Sequence, residues 1–375
     1  MDRRFLVVGI VVLFVALAGC SSAGDVTPTS TPVQETTPTP TPASAQTPTA
    51  TPTATPGHTT DATTPTSEPT AEGELEVHAI NVGQADATLI ITPENETMLI
   101  DSGDWRNSGE TVLAYLDTHD IQRLDHLVAT HAHADHIGGH DVIIETFETE
   151  RDGIGAVWDS GVPHTSQTYE RYLDSIEAHD VTLYATREGD DIPFETDGLT
   201  ATVVNPPEDS ARPNNLHYNS VSIHIEYGAT STLFTGDTEG DAEARMVDTH
   251  GDDLTADLYH AGHHGSSTSS TAGFLDTVAP AKAIVSSSYD SQYGHPHEEV
   301  LDAFAERGID TYWTAVHGSI VFSTDGQEWT VTPQTDATTN PQELRDEPET
   351  DAEPADREAF RSVAGSPSAF VGVTG

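Results

Sequence analysis

The sequence predicts a mixed α/β protein built from two groups of strands with helices between them. Short apolar or alternating segments recur through residues 73–332, and stretches with helical periodicity separate them. This region has about 260 residues, a reasonable size for one domain. Strands grouped in two halves with intervening helices fit two sheets packed face to face and covered by helices.

The first group of strands lies in the N-terminal half of this region. Residues 74–82 alternate between apolar and polar side chains, as a half-buried strand does. Val112, Leu113 and Leu116 mark the apolar face of a helix. The predicted elements are strands at 74–82, 87–91, 98–100 and 125–129, and helices at about 107–119, 137–146 and 169–176.

The second group of strands follows in the C-terminal half. Pro296 opens a helix with Val300, Leu301 and Phe304 facing inward. Apolar runs on both sides of this helix predict strands. The predicted strands are 199–204, 221–227, 231–234, 254–259, 283–285, 320–322 and 329–331.

Residues 1–24 are predicted to be an export signal. Arg3-Arg4 precedes an apolar run, residues 5–18, that is too short for a comfortable membrane span. The run ends in Leu17-Ala18-Gly19-Cys20, a lipobox-like pattern, so we expect Cys20 to be lipidated and the exported protein to be anchored to the outer face of the cell membrane. The start also fits a twin-arginine signal, which leaves the export route open. One lipid chain anchors weakly, so a second chain or the apolar segment is expected to help.

The folded region is expected to lie between two polar segments. Residues 25–72 are Thr-Pro repeats with almost no large apolar side chain, which predicts a disordered, O-glycosylated stalk. Residues 333–375 are polar and acidic and are expected to form a disordered tail. A small docking element is the alternative for the tail, formed by Phe360, Val363, Phe370 and Val371.

The charge of the chain suggests a halophilic source. The 375 residues include 62 acidic and 14 basic ones, for a formal net charge of -48. Acidity spread this widely is typical of a protein that stays hydrated in very high salt, where charge repulsion is screened. It would normally argue against a nucleic-acid substrate, but molar salt weakens that argument. Cys20 is the only cysteine, which excludes an internal disulfide and a cysteine metal site.

The run Thr130-His131-Ala132-His133-Ala134-Asp135-His136 places three imidazoles and one carboxylate within six residues, directly after a predicted strand. These groups are preferred zinc ligands. His131 and His133 point the same way in an extended loop, while Asp135 and His136 turn to a neighbouring position. The geometry suits two adjacent metal ions; a polar histidine-rich loop is the alternative.

Together with further motifs, this HxHxDH run resembles the metallo-β-lactamase superfamily, and within it the ComEC-type hydrolase domain of DNA-uptake proteins. The resemblance covers about residues 73–332 and implies a four-layer αββα sandwich. The further motifs are Asn81-Val82-Gly83-Gln84-Ala85-Asp86, Leu99-Ile100-Asp101, Thr235-Gly236-Asp237, Gly262-His263-His264-Gly265 and Tyr293-Gly294-His295-Pro296.

The resemblance also implies a metal site. By it, His131 and His133 bind a first metal ion, Asp135 and His136 bind a second, and Asp237 bridges both. A carboxylate has two oxygens and can hold two cations about 4 Å apart. The cofactors are therefore two divalent ions, with zinc favoured and manganese the alternative.

Two ligand positions stay open. One histidine of the pair after the strand should complete the second metal; His263 is favoured because it is nearer the strand end, with His264 as the alternative. Many superfamily members carry another histidine on the first metal. His164 and His217 are the candidates here, and a missing ligand would weaken the first site or favour manganese.

Three residues are expected to act around the ligands. Asp101 ends a strand and should orient a ligand histidine rather than bind metal. His295 matches the family's motif and is expected to contact a substrate oxyanion, with a structural turn as the alternative. Asn219 lies in an asparagine-rich segment, 214–220, that ComEC-type domains share, and its function is open. The predicted catalytic residues are Asp135, Asp237 and His295.

The resemblance predicts a metal-dependent hydrolase. Two divalent ions activate a shared water and stabilise charge on the attacked group, and no serine or cysteine nucleophile motif appears. The expected function is a membrane-tethered extracellular phosphodiesterase or nuclease, with DNA as substrate. The alternatives are hydrolysis of a lactone, a β-lactam or a phosphocholine ester, a non-catalytic surface binding module, and a competence component beside a separate channel. The oligomeric state is open.

Overall fold

The computed structural model of the protein describes residues 71–208 and 212–356. The predicted export signal, the lipobox with Cys20, most of the stalk and residues 357–375 lie outside this part of the chain. Within it, every helix is too short or too polar to traverse a lipid bilayer.

Strands and helices alternate along the described residues. The strands are β1 (Leu75–Ala79), β2 (Thr88–Ile91), β3 (Thr97–Ile100), β4 (Leu124–Ala129), β5 (Ile154–Asp159), β6 (Leu183–Ala185), β7 (Leu199–Asn205), β8 (Ser222–Tyr227), β9 (Thr230–Phe234), β10 (Leu258–His260), β11 (Lys282–Val285), β12 (Asp310–Trp313), β13 (Ile320–Thr324) and β14 (Trp329–Pro333). The helices are α1 (Glu110–Thr118), α2 (His140–Glu150), α3 (Gln167–His179), α4 (Gly240–His250), α5 (Ala272–Val278), α6 (Glu298–Arg307) and the single turn α7 (Thr314–His317).

These strands form two sheets. The first has eight strands in the order β14-β13-β1-β2-β3-β4-β5-β6, and the second has six in the order β12-β11-β10-β9-β8-β7. Strands β3 to β6 of the first sheet pair in parallel, as do β9 to β12 of the second. Parallel strands present their carboxyl ends at one edge, which is where α/β proteins place ligand sites.

Side chains of each strand alternate between two apolar layers. Met98 and Ile100 of β3 pack in the core between the sheets, whereas Leu99 packs against α1, α2 and α3. In the second sheet, Leu258 of β10 lies between the sheets and Tyr259 packs against α5 and α6. Helices therefore cover the outer face of both sheets. This arrangement confirms the predicted αββα sandwich.

Most predicted elements are present, but two strands are shorter than expected. The strand expected at 74–82 is β1, Leu75–Ala79. Residues 254–259 were expected to form a single strand; Gly251–Leu254 is a 3-10 turn, and β10 begins at Leu258. Strands β5, β6 and β12 and helices α4, α5 and α7 were not predicted. Helix α4 escapes recognition because its buried face consists of the small Ala242, Met246 and the acidic Glu243.

The expectation of a disordered tail from residue 333 is wrong for residues 334–356. Leu344 is fully buried in the core beneath α4 to α6. The Gln334 side chain accepts a hydrogen bond from the Ser319 N–H at 2.8 Å, and the Thr311 N–H donates to the Thr339 carbonyl. Composition misses this segment because backbone hydrogen bonds and one apolar side chain hold it. For residues 357–375 the expectation stays a prediction.

A buried carboxyl at the end of β5 makes stability depend on pH. Asp159 is 6% exposed; the Gly161 N–H donates to its Oδ1, and the Tyr172 hydroxyl donates to Oδ2 at 3.4 Å. Burial raises the pKa of Asp159 from 3.8 to about 6. Because the folded pKa lies above the unfolded one, the protein loses stability as pH rises through this interval, and the full loss persists above it.

We therefore expect Asp159→Asn to gain stability relative to the wild type as pH rises from 4 to 7.5, by up to about 3 kcal/mol. Urea denaturation at both pH values measures this. Asp141→Asn, which removes a partly buried carboxylate paired with the exposed Arg171, is the control. A difference between Asp159→Asn and wild type that does not change with pH would contradict the raised pKa.

Candidate metal centre

The HxHxDH loop begins where β4 ends, at the carboxyl edge of the parallel strands of the first sheet. The Asp101 carboxylate holds its first residue, because the Thr130 N–H and hydroxyl donate to its oxygens at 2.9 and 2.7 Å. The N–H groups of His136 and Ile137 then donate to the His133 carbonyl and close a turn. Histidines 131 and 136 are thereby buried with their rings directed inward.

Asp237 comes from the second sheet, directly after β9. Gly236 precedes it with φ 50°, and a Cβ at that position would lie 2.4 Å from Ser220 Oγ and 2.9 Å from Thr130 Cβ. Only glycine allows this close approach, which carries Asp237 to the HxHxDH loop. The Asp237 N–H donates to Ser220 Oγ at 3.1 Å and fixes the turn.

A first group of ligand atoms surrounds one oxygen of Asp237. It contains His131, His133 and His217, and all four atoms lie within 4.8 Å of one another. His131 Nε2 is 2.9 Å from His133 Nδ1 and 3.4 Å from Asp237 Oδ2. His217 Nε2 is 3.3 Å from His133 Nδ1. Three imidazoles and a carboxylate converging in this way suit a transition metal such as zinc.

A second group surrounds the other oxygen of Asp237. It contains Asp86, His136 and His264, again within 4.8 Å. His136 Nε2 lies 3.1 Å and His264 Nε2 3.9 Å from Asp237 Oδ1. Asp237 therefore belongs to both groups, one oxygen facing each, as the sequence predicts for a bridging carboxylate.

The structure selects between the open histidines. His217 joins the first group, whereas the ring of His164 lies 6.0 Å from that of His133 and stays outside it. His264, rather than the favoured His263, joins the second group. The backbone explains this difference. His263 and His264 have left-handed φ angles of 52° and 58°, and no pattern in the sequence predicts this conformation. Such strain is typical of functional sites.

His263 lies between the first group and a further carboxylate. Its Nε2 is 3.7 Å from Asp237 Oδ2, its Nδ1 is 3.6 Å from Glu239 Oε1, and its ring is 4.7 Å from that of His217. Glu239 also approaches His217 Nδ1, at 3.2 Å. Sequence reasoning missed Glu239, because a glutamate two residues after a ligand has no distinguishing pattern.

The two aspartates near His264 differ in position from what was expected. Asp135 Oδ2 is 3.5 Å from His264 Nε2, but the side chain is one-third exposed and lies at the edge of the second group. The fully buried Asp86 takes the inner position, its N–H donating to the Asp135 carbonyl. Asp86 was quoted in a motif but not assigned a role. Its position after a glycine in a loop between two strands is the sequence feature that could have indicated this role.

Hydrogen bonds outside the two groups fix the ligand rings. Asp101 Oδ2 is 2.7 Å from His136 Nδ1, which fits the predicted orienting role. Burial tends to lower the pKa of His136, but the Asp237 and Asp101 carboxylates outweigh it and raise the pKa well above its usual value. His264 Nδ1 donates to the Ser286 carbonyl at 3.0 Å. Partners of this kind set the tautomer and direction of a ligand imidazole.

Asn219 braces the loop that carries His217. Its side-chain amide donates to the carbonyls of Arg212 and Asn215, at 2.8 and 2.7 Å. The Asn205 side chain donates to the Ser220 carbonyl next to it. The asparagine-rich segment thus supplies backbone anchoring rather than side chains aimed at the centre.

The carboxylates of the second group favour positive charge on the groups around them. Burial alone would raise the pKa of Asp237, but the imidazoles of His136 and His131 outweigh it and hold this pKa well below its usual range. Burial would likewise lower the pKa of His264, yet Asp86 and Asp237 raise it to about 9. The cluster attracts positive charge, and a divalent cation supplies it most strongly.

The hydrogen-bonding of these atoms fits metal ions. Buried polar atoms are nearly always paired. Here His136 Nε2, His264 Nε2, Asp237 Oδ1 and Asp86 Oδ1 are buried without a hydrogen-bond partner. All four belong to residues of the second group, so the residues present fit a cation there.

His295 lies at the rim of the centre. Its ring is 5.7 Å from that of His263 and 6.2 Å from that of His264, and Gln84 Nε2 lies 3.3 Å from its Nδ1. Burial, together with the neighbouring histidines, lowers the pKa of His295 to about 4. The imidazole is therefore neutral at pH 7.

A comparison with protein families covers the residues that form the two ligand groups. The metallo-beta-lactamase superfamily model matches residues 80–288. The chain belongs to the metallo-beta-lactamase superfamily. Membership confirms the predicted metal-dependent hydrolase.

Two bacterial proteins are similar to about two thirds of this chain. ComE operon protein 3 of Bacillus subtilis is 29% identical over 266 residues, covering 66% of this chain and 33% of that protein. Competence protein ComA of Neisseria gonorrhoeae is 27% identical over 253 residues, covering 67% and 32%. The aligned region is thus about a third of each relative, and the similarity confirms the ComEC-type resemblance. Among solved structures, CmlA, a diiron beta-hydroxylase from Streptomyces venezuelae, matches with a TM-score of 0.40 at 15% identity, over 64% of this chain and 52% of that one.

Replacing Asp101 should weaken metal binding without removing a ligand. Asp101→Asn leaves an amide that cannot hold His136 as the carboxylate does, so we expect metal affinity to fall about 10- to 100-fold. Competition titration with a chromogenic chelator measures this. Asp125→Asn is the control, because Asp125 lies on the same sheet and pairs with Arg123 at the surface. Equal affinities in the two variants would contradict the orienting role.

Proposed function

We propose that this protein is a dinuclear metallohydrolase that cleaves phosphodiesters, with DNA as its substrate. The observation that carries the proposal is the shared Asp237, with one oxygen facing each of two groups of buried ligand atoms. We propose His131, His133, His217 and Asp237 as ligands of the first ion. The second ion would be held by His136, His264, Asp237 and an aspartate, Asp86 or Asp135.

The residues have distinct tasks in this proposal. Two bound ions would activate a water and neutralise charge on a phosphoryl group. Asp237 contributes one oxygen to each ligand group. Asp101 fixes the orientation of the His136 imidazole, and the Ser286 carbonyl fixes that of His264. His295 is neutral and buried beside the centre, so its ring can donate a hydrogen bond to a substrate oxygen.

Support for a phosphodiester comes from the relatives. Two of them carry names that refer to competence, and a third, of Haemophilus influenzae, is called Recombination protein 2. The region similar to this chain makes up about a third of each of the first two relatives. The ligand set suits zinc, and manganese is the second candidate.

The test uses the full chain, freed of metal and reloaded with Zn²⁺ or Mn²⁺ in molar KCl. Single-stranded DNA, double-stranded DNA and bis-(p-nitrophenyl) phosphate are the substrates, beside a lactone and a β-lactam. We expect metal-dependent phosphodiester cleavage. Hydrolysis of the lactone or β-lactam alone would replace the substrate class, and two tightly bound ions without any hydrolysis would favour a binding module.

We also propose that the protein is exported and tethered by a lipid on Cys20, from the lipobox pattern. Cys20→Ser should shift the protein from the membrane fraction of its cells to the medium. Ser22→Ala, two residues away, is the control and should stay with the membrane. Membrane retention of Cys20→Ser would show that the lipid is not the anchor.

A further inference from the structure

A cleft of about 430 Å³ opens beside the metal centre. Asp135, which contacts His264, forms part of its wall, as does Gln84, which contacts His295. Trp105 and Tyr293 line the same cleft. A substrate group next to the reacting bond would therefore enter this space.

The two aromatic side chains are unusually exposed. Trp105 is 48% and Tyr293 58% exposed, and among the described residues only Leu183 and Tyr184 are other large apolar side chains with comparable exposure. Leu183 and Tyr184 lie on the edge strand β6. Half of the exposed large apolar side chains thus meet at one cleft, which is typical of a ligand site.

The backbone of Trp105 is anchored to the ligand loop, while its ring is exposed. The Trp105 backbone N–H donates to the Ala134 carbonyl at 2.9 Å, and the Gly138 N–H donates to the Gly103 carbonyl beside it. The Arg106 guanidinium lies over the indole, 5.1 Å from the ring centre. An aromatic ring carried on an anchored backbone offers a surface on which a planar group can stack.

Tyr293 connects the cleft to the centre. Its ring lies 5.7 Å from that of His295, at an angle of 32°. The Tyr293 carbonyl accepts a hydrogen bond from His297 Nε2 at 3.0 Å. The side chain is therefore placed one ring away from the residue proposed to contact the substrate oxygen.

The charged side chains in the cleft do not by themselves favour binding of a polyanion such as DNA. Arg106 is the only cation that lines it, and Asp104 accepts a hydrogen bond from its guanidinium at 2.8 Å. Asp104 and Asp135 add two carboxylates. Binding of a nucleic acid here must come mainly from stacking, which salt does not screen, rather than from contacts to phosphates.

Resting on the proposed function, we infer that Trp105 and Tyr293 form a base-stacking subsite that selects single-stranded DNA next to the cleaved phosphate. Bases of a duplex already stack on each other, whereas an unpaired base offers a free face to an aromatic ring. Stacking also suits a chain with a net charge of -48, because it retains its strength in molar salt.

Binding to the full, metal-loaded chain tests the inference. The probes are a fluorescent ten-residue thymidylate strand and an abasic strand of equal length, both with phosphorothioate linkages that resist hydrolysis. We expect the wild type to bind the thymidylate strand roughly tenfold more tightly than the abasic one. Trp105→Ala should abolish this preference, and Trp105→Phe should restore most of it. Tyr184→Ala, an exposed aromatic on β6, is the control and should keep the preference.

Salt dependence gives a second reading. With one arginine contact, raising KCl from 0.5 to 3 M should weaken thymidylate binding by only about fourfold. Equal affinity for both strands, a preference that persists in Trp105→Ala, or unchanged affinity for the thymidylate strand after it is paired with a complementary deoxyadenylate strand would overturn the inference. Cleavage of DNA without base preference would leave the proposed function standing, and base preference without cleavage of unmodified DNA would overturn the function alone.

Discussion

Asp237→Asn is expected to lower metal-dependent hydrolysis by about 10³-fold or more and to reduce bound metal from about two ions to below one per chain. The amide has nearly the shape of the carboxylate but lacks its charge and one of its acceptor oxygens. Because Asp237 belongs to both ligand groups, no other residue can substitute for it. Metal analysis by mass spectrometry, together with initial rates on bis-(p-nitrophenyl) phosphate, measures both effects.

Asp141→Asn is the matched control for Asp237→Asn. It removes a carboxylate that pairs with Arg171 at the surface of α2, a contact worth at most about 1 kcal/mol. Circular dichroism should show the same fold in both variants. An Asp237→Asn protein with two bound ions and wild-type rates would contradict the bridging role.

The second large effect is expected for Gly138→Ala, at the end of the HxHxDH loop. A Cβ there would lie 2.1 Å from the Trp105 nitrogen and 2.5 Å from the Ala134 carbonyl oxygen. Both neighbours are backbone atoms, so no side chain can rotate away and the two loops must separate. We expect a loss of about 3 kcal/mol of unfolding free energy or more, with loss of bound metal.

The control for this change is Gly273→Ala on α5. A Cβ at position 273 meets nothing within 4 Å, and alanine favours a helix over glycine by up to about 1 kcal/mol. Thermal melts of both variants in the same molar salt, with metal content measured beforehand, give the comparison. A Gly138→Ala protein as stable as Gly273→Ala would show that the loops separate without cost.

The parts of the centre that the sequence predicts are those that are local in the chain. His131, His133 and His136 lie within six residues, so their convergence follows from one loop. Asp237 was assigned through the family resemblance, and the apolar run directly before it placed it at a strand end. Most individual strands were likewise recognisable, because alternating and apolar segments determine strand faces over short distances, whereas their arrangement as an αββα sandwich was implied by the family resemblance.

The parts that could not be predicted depend on tertiary contacts. The choice of His217 over His164 depends on how the loop before β8 lies over the HxHxDH loop. The choice of His264 over His263 depends on two left-handed residues that no pattern requires. Asp86 reaches the centre only because its backbone pairs with that of Asp135, a contact between distant segments.

The segment after β14 bears on the centre although it supplies no ligand. The Arg345 guanidinium donates to the carbonyls of Gly294 and Pro296 and lies 5.1 Å from the Trp313 ring centre. Those two carbonyls flank His295, the residue at the rim of the metal centre. Leu344, next to the arginine, is buried in the core and fixes its position.

Where the catalytic unit stops is therefore a different question from where the family resemblance stops. A fragment that ends at Thr332 would keep every proposed ligand. It would lose Arg345 and its hydrogen bonds to the loop that carries Tyr293 and His295. We expect such a fragment to bind metal but to bind and position its substrate less well than the full chain. A deletion series would then misplace the boundary if it were judged by metal content alone.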